Sequence, residues 1–298
     1  MRSEVVVIAL GGNAINKENQ AQAIERSCAQ IAEIIDEYRV VITHGNGPQV
    51  GDILIQQELA SKEVPPMPLE VCVAMTQGQI GYLIQQKLSV RGVPVASVIT
   101  QVVVDEDDPA FKEPTKPIGP LYSKDRAKEL LKEGYHLKGV SKGLYRRVVP
   151  SPKPLAIIEE QFIKTLIEEG YVVIACGGGG IPVTYKNGRL KGVGAVIDKD
   201  LSSALLATKI KAHTFLTLTD VEHVALYYGT SKQVNLIKLK LDEAKCYLKE
   251  GHFPPGSMGP KVEGAINFLE GGGERAIIAP LSKAKEGLEG KAGTEIVK

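Results

Sequence analysis

The sequence predicts an α/β fold built on a mostly parallel central sheet, and three observations carry that reading. Short, almost wholly apolar runs at Val5 to Leu10, Val40 to Thr43 and Thr214 to Thr219 suit central strands buried on both faces. Helix-period segments separate such runs; Ile24, Cys28, Ile31 and Ile35 set the pattern after the first. Glycine-rich turns then follow the strands, where an open parallel sheet collects its ligands.

The elements follow in order. Val5 to Leu10 ends in Gly11-Gly12, and Val40 to Thr43 runs into His44-Gly45-Asn46-Gly47-Pro48, whose glycines permit close backbone approach. Gln49 to Leu59 suits a helix, the proline-rich stretch at 64–68 a connector, Glu70 to Leu88 a second helix, and Val95 to Thr100 a strand. Residues 104–154 differ from their neighbours: acidic residues, several prolines, a helix over Ser123 to Glu133 and the basic pair Arg146-Arg147 replace long apolar strands. This stretch reads as a protruding subdomain or lid inserted in one domain spanning 1–298, with Lys116 held in a proline-stiffened loop. A helix around Glu159 to Glu169 and a strand over Tyr171 to Cys176 lead to Gly177 to Gly180, bare backbone suited to an anion-binding concavity. Asn187-Gly188 marks a hairpin, and the strand Thr214 to Thr219 ends in Asp220-Val221 before another apolar run over Val224 to Tyr228. Lys238 to Lys249 is a charged connector or helix. Gly259-Pro260-Lys261 opens a helix, and Arg275 to Ala279 is the last clear strand.

Composition narrows the function. At 298 residues with 43% hydrophobic and 24% charged residues, the chain buries a large core and is not of the disordered class. Its 36 basic and 35 acidic side chains leave a formal charge of +1, so no bulk field draws nucleic acid or an anionic membrane, and any anion site is built locally. The 4 cysteines are scattered, without zinc or disulfide spacing, and no apolar run is long enough to span a bilayer; a cytoplasmic protein is expected. No Walker A loop, Gly-x-Ser-x-Gly elbow or metal-ligand histidine spacing occurs.

The chemistry concentrates at Val196 to Leu201, where Asp198 and Asp200 flank Lys199 at the mouth of a helical run. Three adjacent charges there answer no packing need. Lys261 stands near the positive end of its own helix, which calls for an anion close by. With the glycine turns, these residues suggest a phosphate-handling site.

Together, Ala9 to Ala14, Thr43 to Gly51, Pro114 to Pro117, Arg147 to Pro152, Gly177 to Pro182, Val196 to Leu201 and Gly256 to Lys261 resemble the carbamate kinases. Order and approximate spacing agree from Val5 to about Thr294. The resemblance implies the amino-acid kinase fold, a three-layer αβα sandwich whose mostly parallel central sheet has about eight strands, and a homodimer. It also implies reversible phosphoryl transfer between ATP and carbamate, giving ADP and carbamoyl phosphate, with Mg²⁺, in arginine metabolism. Lys199 and Lys261 are then expected on the transferring group and the β–γ bridge, with Lys116 brought in by the subdomain and Asp198 and Asp200 orienting the lysines near the metal. Gly11, Gly12, Asn13, Gly45, Asn46, Gly47 and Gln77 are expected around carbamate and the phosphoryl group. Gly178 and Gly179 are expected at the nucleotide phosphates, and Asp220, Tyr227, Met258 and Gly259 near ribose and adenine. Thr76 stands where serine is usual, and Cys176 where the family has serine; both changes leave the chemistry intact.

Two other readings stay open on the sequence. A relative with a different carboxylate or phosphate acceptor shares the glycine turns, so only the Pro-Thr-Lys-Pro stretch and the Gly-Asn-Gly-Pro-Gln loop favour carbamate. A non-catalytic nucleotide sensor is expected to lose one or more of Lys116, Lys199 and Lys261, and all are present.

Overall fold

The computed structural model describes residues 4–12, 19–90, 92–141 and 143–298. Its main sheet has eight strands: β1 (Val5–Leu10), β2 (Arg39–His44), β3 (Val95–Ser97), β9 (Val172–Ile174), β12 (Thr214–Thr219), β15 (Lys238–Lys240), β16 (Arg275–Pro280) and β17 (Thr294–Val297). They lie in the order β15-β17-β16-β12-β1-β2-β9-β3, and every pairing is parallel except β16 with β17.

Alternation along β1 builds the layers, because successive strand residues face opposite sides. Val6, Ile8 and Leu10 join a core with Ile24, Cys28 and Ile31 of α1 (Gln20–Ala32), Ile80 and Ile84 of α3 (Leu69–Ser89), and Leu288 of α9 (Ala284–Leu288). Val7 and Ala9 face the other way, onto Ile163 of α5 (Glu160–Glu168), Leu206 of α6 (Lys199–Lys209), Ala244 of α7 (Leu241–Lys249) and Phe268 of α8 (Met258–Glu270). Helices thus cover both faces. That is why the strands read as continuous apolar runs rather than alternating ones.

Beside this frame stands a second sheet of β4 (Gln101–Val104), β8 (Pro154–Ile157), β10 (Ile181–Lys186) and β11 (Arg189–Gly192), in the order β11-β10-β4-β8. The β10–β11 hairpin turns at Asn187 and Gly188, both at positive φ, as its sequence predicts. Between β4 and β8 the chain forms an antiparallel three-stranded sheet of β5 (Lys116–Tyr122), β6 (His136–Ser141) and β7 (Leu144–Val149), with α4 (Lys124–Lys132). Ile118 and Val149 seat it against Val50 and Ile53 of α2 (Gly47–Ala60) and Val73 of α3. A small ribbon, β13 (Val224–Leu226) with β14 (Val234–Leu236), completes the described strands.

Three local expectations change. Lys116 opens a strand rather than sitting in a loop; Pro117 and Pro120 are tolerated because β5 is an edge strand, whose free side needs no N–H donors. The charged stretch at 238–249 divides into β15 and α7, with Glu243 bonding back to the Lys240 amide at 2.9 Å to cap the helix. The chain adds β17 after the apparent last strand, and β17 together with β15 runs opposite to the other six strands.

Candidate active site

The neighbouring strands β12, β1, β2 and β9 release their loops from the same carboxyl edge of the sheet, so Asp220, Gly11–Gly12, Gly45–Gly47 and Gly177–Gly180 gather there. The ends are stitched by backbone bonds: the Gly11 amide donates to the Leu218 carbonyl (3.1 Å) and the Gly45 amide to that of Leu10 (3.3 Å). A Cβ on Gly11 would stand 2.8 Å from the Leu218 oxygen, so only glycine lets these strand ends approach so closely. Asn13 lies outside the described residues.

Two helices aim their N-termini at this edge. Asp198 caps α6, its Oδ1 accepting from the Asp200 amide (2.9 Å), which places Lys199 and Asp200 in the first turn. Asp200 is buried and takes both lysines: Lys199 Nζ lies 2.5 Å from Oδ1, and Lys261 Nζ, from the first turns of α8, 2.9 Å from Oδ2. Lys116 reaches across from β5 to Asp198 Oδ2 at 2.7 Å. One carboxylate shared by two ammonium groups leaves an unbalanced positive charge, and the amides of two helix starts add to it.

The titration behaviour follows from that imbalance. Burial pulls the Lys199 ammonium below the ordinary lysine value, and the Lys261 charge adds to this against the opposing pull of Asp200. Burial pushes the Asp200 carboxyl up, but Lys199 and Lys261 together overcome it and hold the group below the usual carboxylate range. The acid has two partners, and each base has half of one.

His44, at the end of β2, is buried; burial lowers its pKa to about 4, with the Lys199 charge lowering it further and a 2.8 Å hydrogen bond to the Gly45 carbonyl opposing. The ring is neutral, with Nδ1–H donating to that carbonyl. Underneath, Thr43 and Ser203 hydroxyls meet at 2.6 Å and Ser203 also bonds the Lys199 carbonyl at 2.6 Å, tying β2 to the start of α6. Thr76 uses the hydroxyl it shares with serine to accept from Asn46 Nδ2 at 2.8 Å, fixing that side chain.

Gly178 and Gly179 adopt φ of +66° and +91°, and a Cβ on either would strike the Asn46 amide or the Ile197 carbonyl at 2.2 Å. The glycine run therefore fills the narrow space between the loop after β2 and the entry to α6. Gln77 latches it from behind: Nε2 donates to the Gly177 carbonyl (3.0 Å) and the Thr100 carbonyl (3.2 Å), while Oε1 accepts from the Thr100 amide (2.8 Å). Cys176 is buried, and burial pushes its thiol up to about 12, so it packs and is inert as a nucleophile.

A cleft of about 420 Å³ opens beside the charged cluster, its walls including Gly11, Gly12, Asp220, Met258 and Lys261. Lys261 joins the two, lining the cleft while its Nζ holds Asp200. The far end is apolar, with Ala225, Tyr228, Phe253 and Pro254. Tyr227, expected beside the nucleotide, instead turns edge-on to His252 at 5.0 Å, and its neighbour Tyr228 takes the cleft wall. Gly259 stands behind the wall, its amide bonded to the Pro254 carbonyl at 2.9 Å. Of the other lining residues, sequence reasoning singled out none of Phe253, Pro254 and His223; the Tyr227-Tyr228 doublet was visible as a pair that could stack on a base or pack in the core, and spacing could not say which ring faced inward.

An open α/β sheet with lysines and helix N-termini converging at its carboxyl edge defines the class of phosphoryl-handling α/β enzymes. The chain belongs to the amino acid kinase family, which it matches over residues 4–280. It is 51% identical to the carbamate kinase of Thermococcus kodakarensis, with 98% of this chain and 99% of that protein covered. The carbamate kinase of Pyrococcus furiosus is likewise 51% identical, covering 98% of each. Among solved structures, carbamate kinase from Giardia lamblia bound to AMP-PNP superposes with a TM-score of 0.94 at 41% identity, covering 99% of this chain and 98% of that one.

Proposed function

We propose that the protein is an ATP-dependent carbamate kinase, transferring a phosphoryl group reversibly between ATP and carbamate to give ADP and carbamoyl phosphate. The observation that carries the chemistry is the pair of buried lysines, from two helix starts, sharing the single carboxylate of Asp200. Burying three charges is costly, and a hydrophobic cluster would serve stability at least as well, so the arrangement answers a need for an anion. Full-length similarity to carbamate kinases supplies the acceptor.

In-line phosphoryl transfer asks the protein mainly to position two anions and to neutralise charge on the oxygens between them. Lys199 and Lys261 draw that charge, helped by amides at the starts of α6 and α8 and by Gly11 and Gly12. Lys116, carried by the small sheet over residues 104–154, exchanges Asp198 for the acceptor and acts as a lid contact. Gly45, Asn46 and Gly47 bound the acceptor side, held by Gln77 through the Gly177 loop. The nucleotide occupies the 420 Å³ cleft, phosphates toward Lys261 and Gly12, base toward Tyr228. Carbamate is already an anion, so no general base is required, in keeping with a neutral, buried His44.

Among the described residues no three His, Cys, Asp or Glu side chains converge as a metal cage. That fits Mg²⁺ carried on nucleotide phosphates, which takes one or two protein carboxylates, and Asp198 and Asp200 are the candidates. When bound it neutralises charge on the phosphate oxygens. A homodimer accompanies this assignment: Val71, Met75 and Tyr82 form an exposed stripe along one face of α3 (38%, 44% and 58% exposed), suited to a second copy. Among the described residues no helix is long and apolar enough to cross a membrane. We place the enzyme in the cytoplasm, in keeping with four free cysteines.

The direct test is ATP formation from ADP, Mg²⁺ and carbamoyl phosphate, with Lys199→Ala and Lys116→Ala beside the parent. Rapid formation that collapses in both variants is expected. An ADP-binding protein with no turnover on carbamoyl phosphate would reassign the acceptor, and near-full turnover by Lys199→Ala would remove the lysine from the chemistry.

A further inference from the structure

The adjacent arginines of β7 are used differently. Arg146 Nε donates to the Gly119 carbonyl at 3.0 Å. Arg147, half-buried, has its guanidinium 4.2 Å from the centre of the Tyr135 ring; among the described residues no hydrogen bond or ion pair holds it, and Tyr135, Tyr122 and Glu58 act on it only through space. The nearby carboxylate that could serve, Glu58, is already taken: Arg126 holds it at 2.5 Å and the Tyr122 hydroxyl donates to it at 3.1 Å. A guanidinium carries five N–H donors and is seldom left half-desolvated without acceptors. Burial holds Arg147 below the usual arginine value.

Arg147 opens on a cleft of about 740 Å³ between α2, the 66–69 connector and the small sheet with α4. Leu54, Met67, Leu130 and the Tyr135 ring give the cleft apolar walls, and Glu58 and Glu133 stand at its sides. This cleft is separate from the one containing Lys261, yet it borders the same strands as Lys116. Lys116 pairs with Val149 and Ile118 with Arg147, so both cations sit on one face of the β5–β7 pair, two residues apart along it.

We propose that this cleft is a binding site for a small organic monocarboxylate, its carboxylate gripped by Arg147 and its carbon body lying on Tyr135, Leu130 and Met67. The guanidinium fork matches a carboxylate. The apolar walls favour a carbon-bearing ligand over an inorganic anion. The site stands on none of the assignments made for Lys199, Lys261 or carbamate.

Butanoate is the probe. In the full-length protein, a vicinal dicarbonyl reagent read by peptide mass spectrometry modifies Arg147 ahead of the ion-paired Arg126 and Arg275. Butanoate slows modification of Arg147 severalfold, and 1-butanol, of similar shape but uncharged, does not. Calorimetric binding of butanoate disappears in Arg147→Gln, while ADP binding in that variant, retained, shows that the fold survives. Absence of protection by butanoate overturns the proposal. So does equal protection by inorganic phosphate, which would reduce the site to a bare cation.

Discussion

Asp200 serves two buried ammonium groups with one carboxylate, and its removal should leave both without a counter-ion. Asp200→Asn is expected to lose about 3–5 kcal/mol of stability, the cost of orphaning buried charge, with part of the loss restored by added phosphate in a thermal melt. Lys199→Ala should lower kcat by about 10²-fold or more in the ATP-forming assay, as removal of one transition-state contact does. Because burial draws the Lys199 ammonium down, the alkaline limb of kcat/KM should fall below the ordinary lysine value of 10.5, and Lys199→Arg should move any residual limb upward. His44 gives a separate signature. Its folded pKa of about 4 lies under the ordinary 6.5, so between these values the unfolded chain binds more protons and stability falls as pH falls. The loss approaches about 3 kcal/mol at full expression, and urea titrations of His44→Gln across that window should show a flatter profile. At this scale the sequence displayed the lysines and acids by their type, but not which acid each lysine meets. The sharing of Asp200 joins residues 61 apart in the chain, and the burial that neutralises His44 depends on the packed Gly177 loop.

Among the elements, the run Gly177 to Gly180 shows a packing requirement in the form of a ligand motif. Gly179→Ala meets both a φ of +91° and the Ile197 carbonyl at 2.2 Å, so it should destabilise by more than the roughly 1–3 kcal/mol of backbone strain alone, measured by denaturant unfolding. Because Ile197 precedes the cap of α6, the same change should also lower activity by shifting Lys199. Helices and central strands were legible because both periodicity and buried runs are local signals: α2, α3, α4 and α5 begin and end within two residues of their expected bounds. The edge strand β5 was not, since prolines normally mark loops and only its place at the end of a sheet makes them harmless. The short strand β17 was hidden for a related reason. Its four residues carry little pattern of their own and are fixed by pairing with β15 and β16.

For the molecule as a whole, the Lys116–Asp198 ion pair joins the small sheet to the start of α6 at the carboxyl edge of the main sheet. Lys116→Ala should leave the melting temperature nearly unchanged, because a single ion pair whose lysine is partly exposed contributes little, while ATP formation drops steeply. The exposed stripe on α3 predicts a second copy in solution: light scattering should give twice the 32.1 kDa of one chain, and Tyr82→Glu should shift the mass toward a single chain. The layered architecture and the distinct character of residues 104–154 could be anticipated because they rest on chain-wide composition. The Lys116–Asp198 contact could not, since it joins residues 82 apart in the chain.

Asp198 is divided between two tasks, one oxygen accepting the amide that starts α6 and the other holding the lysine of the small sheet. Asparagine caps a helix about as well as aspartate but carries no charge. Asp198→Asn is therefore a separation-of-function substitution: helix and fold persist while the small sheet loses its electrostatic tether, so what the tether does to the resting position of Lys116 becomes measurable apart from folding.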